Sequence, residues 1–235
     1  MASPSSIAVM SGLALEVAVN RWLKPAFEAA SPYRLEVDWR PTTAIMKSIA
    51  EGQRADVVIA IDGSMDKLCA DRIVRPETRL CLADSILGVG VREGTPKPDV
   101  STVEAFKRAL VGARVAYSRA GASGIYFTGL VERLGIAAEV NARAVAIPMG
   151  FTGEKVASGE ADIAIQQVSE LMSVPGVAVA GPFPSEVQTV STFDAAIFAD
   201  AANPDGAAAL MALLASPAAA KAYGDGGLVS RLKHS

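Results

Sequence analysis

Four short stretches place hydroxyl, glycine and arginine residues directly after apolar, strand-like runs and directly before helix-like ones. They are "VMSGLA" with Ser11 and Gly12, "WRPTTA" with Arg40, Thr42 and Thr43, "YSRAGASGIY" with Ser118, Arg119, Ser123 and Gly124, and "IPMGFTG" with Met149, Gly150 and Thr152. A helix that starts at such a turn presents backbone N–H groups without partners, and its dipole adds about half a positive charge at that end. Small residues let an anion approach those amides and hydroxyls add donors, so the chemistry these turns suit is anion binding. The same Ser and Thr residues also suit plain helix N-caps, worth about 1 kcal/mol each. Their recurrence at four strand-to-helix turns is what points to a shared ligand edge, because ligands of open α/β sheets sit beyond the carboxyl ends of the strands.

Standard catalytic constellations do not fit. "GASGI" lacks the second glycine of a G-x-S-x-G elbow, and the sole imidazole, His234, is the penultimate residue, which argues against a Ser-His-Asp triad. There is no G-x-x-x-x-G-K-[ST] loop and no G-x-G-x-x-G opening a helix after a strand, so nucleotide chemistry is not expected. Carboxylates are scattered, and Cys69 and Cys81, twelve apart, lack metal-knuckle spacing. No metal or cofactor is expected, and both cysteines read as buried thiols. The side chains left for recognition are Arg40 and Arg119, whose guanidinium groups match carboxylates in bidentate pairs or else face water as surface arginines.

The elements that must position these residues alternate. "SIAVMS", "RLEVDW", "ADVVIAI", "SILGVGV", "ARVAYS", "ADIAIQ" and "VAVAGPF" read as strands apolar on both faces, as buried parallel strands are. Helical spacing covers residues 13–30, 43–51, 101–111, 124–135, 151–158 and 203–223, with a capping box from Ser101 to Glu104 and Asn203-Pro204 as start signals. Ser216 and Pro217 open a second helix within the last, Ala-rich stretch. This is an α/β pattern with parallel sheets. Long extended segments near residues 84 and 190 suit crossings between lobes, giving a first lobe of 1–84 plus 190–235 and an inserted second lobe of 85–189. With 235 residues, 51% of them apolar, a substantial core is expected. A net charge of −3 and few aromatic residues leave little basis for nucleic-acid binding. No apolar run reaches the roughly 20 residues of a membrane span, and the opening "MASPSSIAVMSG" lacks a secretory leader. The protein is therefore expected to be cytoplasmic, or periplasmic if a leader was removed.

The same stretches carry a family resemblance over nearly the whole chain. "VMSGLALEVA", "PTTAIMKSIAEGQRADVVIAIDGSMDKL", "RVAYSRAGASGIYFTGLVERLGI", "VASGEADIAIQQVSELMSVPGVAVAGPFP" and "LLASPAAAKAYGDGGL" resemble the type 2 periplasmic-binding-protein fold, in its molybdate-binding-protein-like branch. The resemblance implies two lobes closing on an anion, each a mostly parallel sheet flanked by helices, working as a monomer. It implies hydroxyl donors at Ser11 and Thr42 and amide or hydroxyl donors at Ser123 and Gly124. Gln166, followed by Gln167, falls where molybdate binders place a tyrosine, and Pro148 falls where they use a backbone N–H that proline cannot supply. Both departures point away from molybdate itself and, with Arg40 and Arg119, toward an organic polycarboxylate.

Two functions follow. In the first, the protein binds a small anion between the lobes and serves an ABC-type permease. In the second, suggested by "IAIQQVSEL" and by aconitate isomerases on this fold, it is a cofactor-free isomerase of a tricarboxylate. That reaction needs a base, for which Glu170, Tyr117 or a lysine are the sequence's candidates.

Overall fold

A computed structural model describes residues 5–232. The strands are β1 (Ser5–Ser11), β2 (Tyr33–Trp39), β3 (Val57–Ile61), β4 (Leu80–Arg92), β5 (Val115–Ser118), β6 (Val145–Ile147), β7 (Ile163–Gln167), β8 (Val177–Pro182), β9 (Val190–Ile197) and β10 (Val229–Ser230). The helices are α1 (Glu16–Ala18), α2 (Lys24–Ala30), α3 (Thr42–Ala50), α4 (Asp62–Ala70), α5 (Val103–Val111), α6 (Ala122–Arg133), α7 (Ala137–Asn141), α8 (Gly153–Ala157), α9 (Val168–Met172), α10 (Pro204–Leu214) and α11 (Pro217–Asp225). A 3-10 turn, Leu13–Leu15, leads into α1, and a π turn, Val19–Leu23, joins α1 to α2. The chain divides into two compact units: one runs up to Asp84 and resumes at Ser191, and the other is Ser85–Val190.

In the first unit β2, β1 and β3 are parallel, and β9 runs antiparallel to β3. Ser11 pairs with Trp39 on one side and Ile59 on the other, so β1 and β2 end level and β3 runs on only to Ile61. Alternate residues feed two cores. Val9, Val57 and Ile59 join Leu15, Phe27, Leu210 and Tyr223 on one face, while Met10, Val58 and Ala60 join Ile45, Met65 and Phe198 on the other. Burying both faces explains why these strands read as continuous apolar runs.

In the second unit β5 pairs in parallel with β6 and β7, whereas β4 runs antiparallel to β7 and β8. Phe106, Phe127, Val115, Ile163 and Ile165 fill one face, and Ala116, Ala164, Val156 and Leu171 the other. Phe106 and Phe183 pack ring against ring at 4.7 Å.

The sheets are mostly parallel, with β9 in the first unit and β4 in the second running against their neighbours. Several local expectations change. Helix α5 is capped by Thr102, whose hydroxyl accepts from the Ala105 amide at 3.2 Å, while Ser101 turns back to Asp99 at 2.7 Å. Asn203 and Ser216 do cap α10 and α11. Helices α4, α7 and α9 and the short strands β6 and β10 carry too few periodic positions to stand out from sequence. Cys69 and Cys81 are free thiols but only half-buried. Among the described residues no helix is long and apolar enough to cross a membrane. His234 lies outside the described residues.

Candidate functional site

Ser11 closes β1 and is fully buried; its hydroxyl donates to the Gly12 carbonyl at 3.1 Å. The Gly12 amide donates to Ile59 at 3.0 Å and the Arg40 amide to Ser11 at 3.1 Å, so the three strand ends are tied together and the Gly12 amide is already committed. A Cβ on Gly12 would sit 2.7 Å from the Phe193 ring and 3.6 Å from the Thr42 hydroxyl oxygen, which explains the glycine and places Thr42 beside this turn. Thr42 begins α3 and is buried, and its hydroxyl has no hydrogen-bond partner among the described residues. Thr43, next along, is exposed.

Arg40 is not placed as the sequence suggested. Its Nε donates to both carboxylate oxygens of Asp38 at 2.8 Å, Nη1 donates to the Ser48 hydroxyl at 2.5 Å, and Nη2 reaches Asp38 and, at 3.3 Å, the Gln53 side-chain oxygen. Hydrogen bonding holds the Asp38 carboxyl below its ordinary range and raises the guanidinium in turn. A guanidinium so engaged braces β2 against α3 and has little donor capacity left for a ligand.

The second unit repeats the design at the end of β5. Ser118 is buried, and its hydroxyl accepts from the Gly121 amide at 3.2 Å. A Cβ on Gly124 would lie 1.6 Å from the Ser118 carbonyl oxygen, so α6 rests its first turn directly on the strand end and only glycine fits. Ser123 is 4% exposed and its hydroxyl is unpartnered among the described residues. The Arg119 amide donates to Ile147 at 2.9 Å, while its side chain is exposed, without an ion pair or hydrogen bond among the described residues. With Ala120, Ala146 and Pro148 it lines a cavity of about 410 Å³. Met149 is 53% exposed, and Gly150 turns with a φ of 101°, which favours glycine. Pro148 offers its carbonyl to the Ala120 amide at 3.1 Å.

Gln166 is also reassigned. Its side-chain oxygen accepts from the Thr152 amide at 2.7 Å and hydroxyl at 2.8 Å, and its Nε2 donates to the Gly150 carbonyl at 3.0 Å. It clamps the turn before α8 from within, so its groups are spent on the protein. Gln167 differs: among the described residues its side-chain oxygen is buried without a partner, as are the hydroxyls of Ser85 and Ser169. Ser85 lies two residues before Leu87, the partner of Gln167 across β4 and β7, and Ser169 lies two after Gln167. Sequence reasoning missed both serines, since only strand pairing brings Ser85 to this corner. Of the candidate bases, Tyr117 packs its ring tilted against Phe127 at 5.5 Å between centroids, with its hydroxyl 3.5 Å from Asn141, on the face of β5 opposite Ser118. Glu170 is buried and partnered. No group of three His, Cys, Asp or Glu among the described residues could hold a metal ion.

The chain matches the family described as bacterial extracellular solute-binding protein over residues 7–229. It is 37% identical over 215 residues to an aconitate isomerase from Pseudomonas sp, covering 88% of this chain and 82% of that protein. Among solved structures it is similar to the periplasmic molybdate-binding protein of Azotobacter vinelandii, with a TM-score of 0.78, 18% identity, and coverage of 95% of this chain and 98% of that one. It is also similar to a sulfate-binding protein of Mycobacterium tuberculosis, with a TM-score of 0.75, 16% identity, and coverage of 95% and 86%.

Proposed function

Given that this chain belongs to the bacterial extracellular solute-binding protein family and has the type 2 periplasmic-binding-protein fold, we propose that it binds a small polycarboxylate at its strand-end turns and isomerises it. The observation that carries the reading is Arg119, an exposed guanidinium unpaired among the described residues, beside a cavity at the same strand edge as the Ser118 and Ser123 hydroxyls. Neutral hydroxyls and amides suffice for a tetrahedral oxyanion, whereas a bidentate guanidinium matches the planar carboxylate. Similarity at 37% identity along most of both chains to an aconitate isomerase supports a tricarboxylate as substrate. Shifting a double bond by proton transfer requires no resident cofactor, only orientation, a base and donors for the charge that develops.

The experiment is direct. Purified protein is mixed with cis-aconitate and, separately, trans-aconitate, and each is followed by proton NMR. Interconversion to a common equilibrium supports the reading, and saturable binding without interconversion overturns it. That second outcome favours the other reading, capture of a small anion for delivery to an ABC-type permease from outside the inner membrane, which the family assignment supports. Thermal-shift titrations with molybdate, sulfate and aconitate then identify the ligand class.

A further inference from the structure

Glu16 starts α1, four residues beyond Gly12 and three beyond Leu13. Residues three and four apart share a helix face, and Cα–Cβ bonds tilt toward the helix N-terminus, so a helical side chain covers the turn before its own Cα. The Glu16 side chain therefore leans back toward the Gly12 turn, the place beside which the Thr42 hydroxyl sits. From Leu13 to Asn20 the residues not buried are Leu13, Glu16 and Asn20, one stripe of the helix, with Glu16 in its middle.

Other well-placed carboxylates of this unit are paired. Glu28 accepts from the Leu35 amide, Asp56 from the Ala8 and Asn203 amides, and Asp194 from Arg79. Glu16 is half-buried and has neither a hydrogen bond nor an ion pair among the described residues. Burial alone pushes its carboxyl above the ordinary glutamate value, and no cation among the described residues offsets that. Of the groups on α11, which packs against α1, Lys221 and Asp225 are bonded to each other. Leaving a carboxylate partly desolvated and unpaired costs stability, so such a group calls for a role that pairing would spoil. A base must stay free to take a proton from carbon.

We propose that Glu16 is the proton acceptor and donor of the polycarboxylate isomerisation, an assignment that rests on the isomerase reading above. Its carboxylate oxygen takes a proton from the methylene carbon next to the C=C of a propene tricarboxylate. The C–H electron pair becomes a new C=C, and the old double-bond pair moves to the far carbon, delocalised into that carbon's carboxylate. Glu16 then returns the proton to the far carbon. The double bond has moved one place, with no net gain or loss of protons or electrons.

The test compares wild type, Glu16→Gln and Glu16→Asp in D2O with trans-aconitate. NMR follows interconversion and deuterium uptake into the methylene, and calorimetry measures affinity for the same compound. The expected result is a loss of at least about 100-fold in turnover and in deuterium uptake for Glu16→Gln, with affinity within about threefold of wild type. Glu16→Asp, with its carboxylate one methylene short, should slow turnover about tenfold at unchanged affinity. Turnover by Glu16→Gln within about threefold of wild type overturns the Glu16 assignment alone, as does unimpaired Glu16→Asp should Glu16→Gln fail to fold. A wild type that binds trans-aconitate but neither converts nor deuterates it overturns the isomerase reading and this assignment together.

Discussion

Replacing Gly124 by alanine should separate α6 from the end of β5. The added methyl would lie 1.6 Å from the Ser118 carbonyl oxygen and 2.6 Å from its carbonyl carbon, both main-chain atoms that no side-chain rotation can clear. Restoring an ordinary contact requires the first turn of α6 to move by on the order of 1.5 Å, and overpacking of this kind costs about 1–3 kcal/mol, here toward the upper end. Alanine recovers about 0.5–1 kcal/mol through the unfolded chain and helix propensity, leaving a net loss of about 2 kcal/mol. For a chain of this size that corresponds to a fall in Tm of roughly 4–8 °C. The same shift carries the Ser123 hydroxyl with it, and a misplacement of about 1 Å in a binding constellation can cost about 100-fold in rate. Gly129 on the same helix is the control: the nearest atom to an added methyl there is the Arg133 guanidinium nitrogen at 3.6 Å, an ordinary contact. Gly129→Ala should raise Tm by roughly 2–4 °C and leave ligand affinity unchanged. Scanning calorimetry paired with titration of aconitate and molybdate reads both effects. If Gly124→Ala melts with wild type and binds normally, the close approach of α6 to β5 is wrong.

Arg119→Ala should weaken binding of a polycarboxylate by about tenfold or more while changing oxyanion affinity by less than about threefold, since only the carboxylate uses the guanidinium fork; equal losses contradict the assignment. Gln166→Leu strips the partner from the Thr152 amide and from the Gly150 carbonyl, while the Thr152 hydroxyl keeps the Ile165 carbonyl at 3.2 Å, and urea unfolding should report a loss on the order of 3 kcal/mol. The Glu16 carboxyl is raised in the fold, so the unfolded state loses its proton first as pH increases. Its protonated form therefore favours folding below the ordinary glutamate value of 4.5, and that contribution is lost as pH rises through the folded value. The Tm advantage of Glu16→Gln over wild type should accordingly be small in acid and grow to a plateau above that range; an advantage independent of pH speaks against the desolvated carboxyl.

The strand-to-helix turns were legible in sequence because each depends on local chemistry. Apolar runs mark the strands, small residues and hydroxyls mark the turns, and the level strand ends follow from parallel pairing of consecutive βα units. The family resemblance was legible for the same reason, carried by short stretches such as "YSRAGASGIY" that keep their local form. What any one side chain does there was not legible. Arg40 looked as available as Arg119, and only packing set Arg40 against Asp38, Ser48 and Gln53 while leaving Arg119 unpaired among the described residues. Gln166 and Gln167 are neighbours of identical type, yet strand alternation sends one into the Thr152 turn and leaves the side-chain oxygen of the other without a partner among the described residues. Sequence by itself determined the α/β architecture and where anion donors could be, because secondary structure and capping are short-range. The tertiary structure alone decided which of those polar groups are spent on the protein, because a hydrogen-bond partner is chosen by proximity in space and not by proximity along the chain.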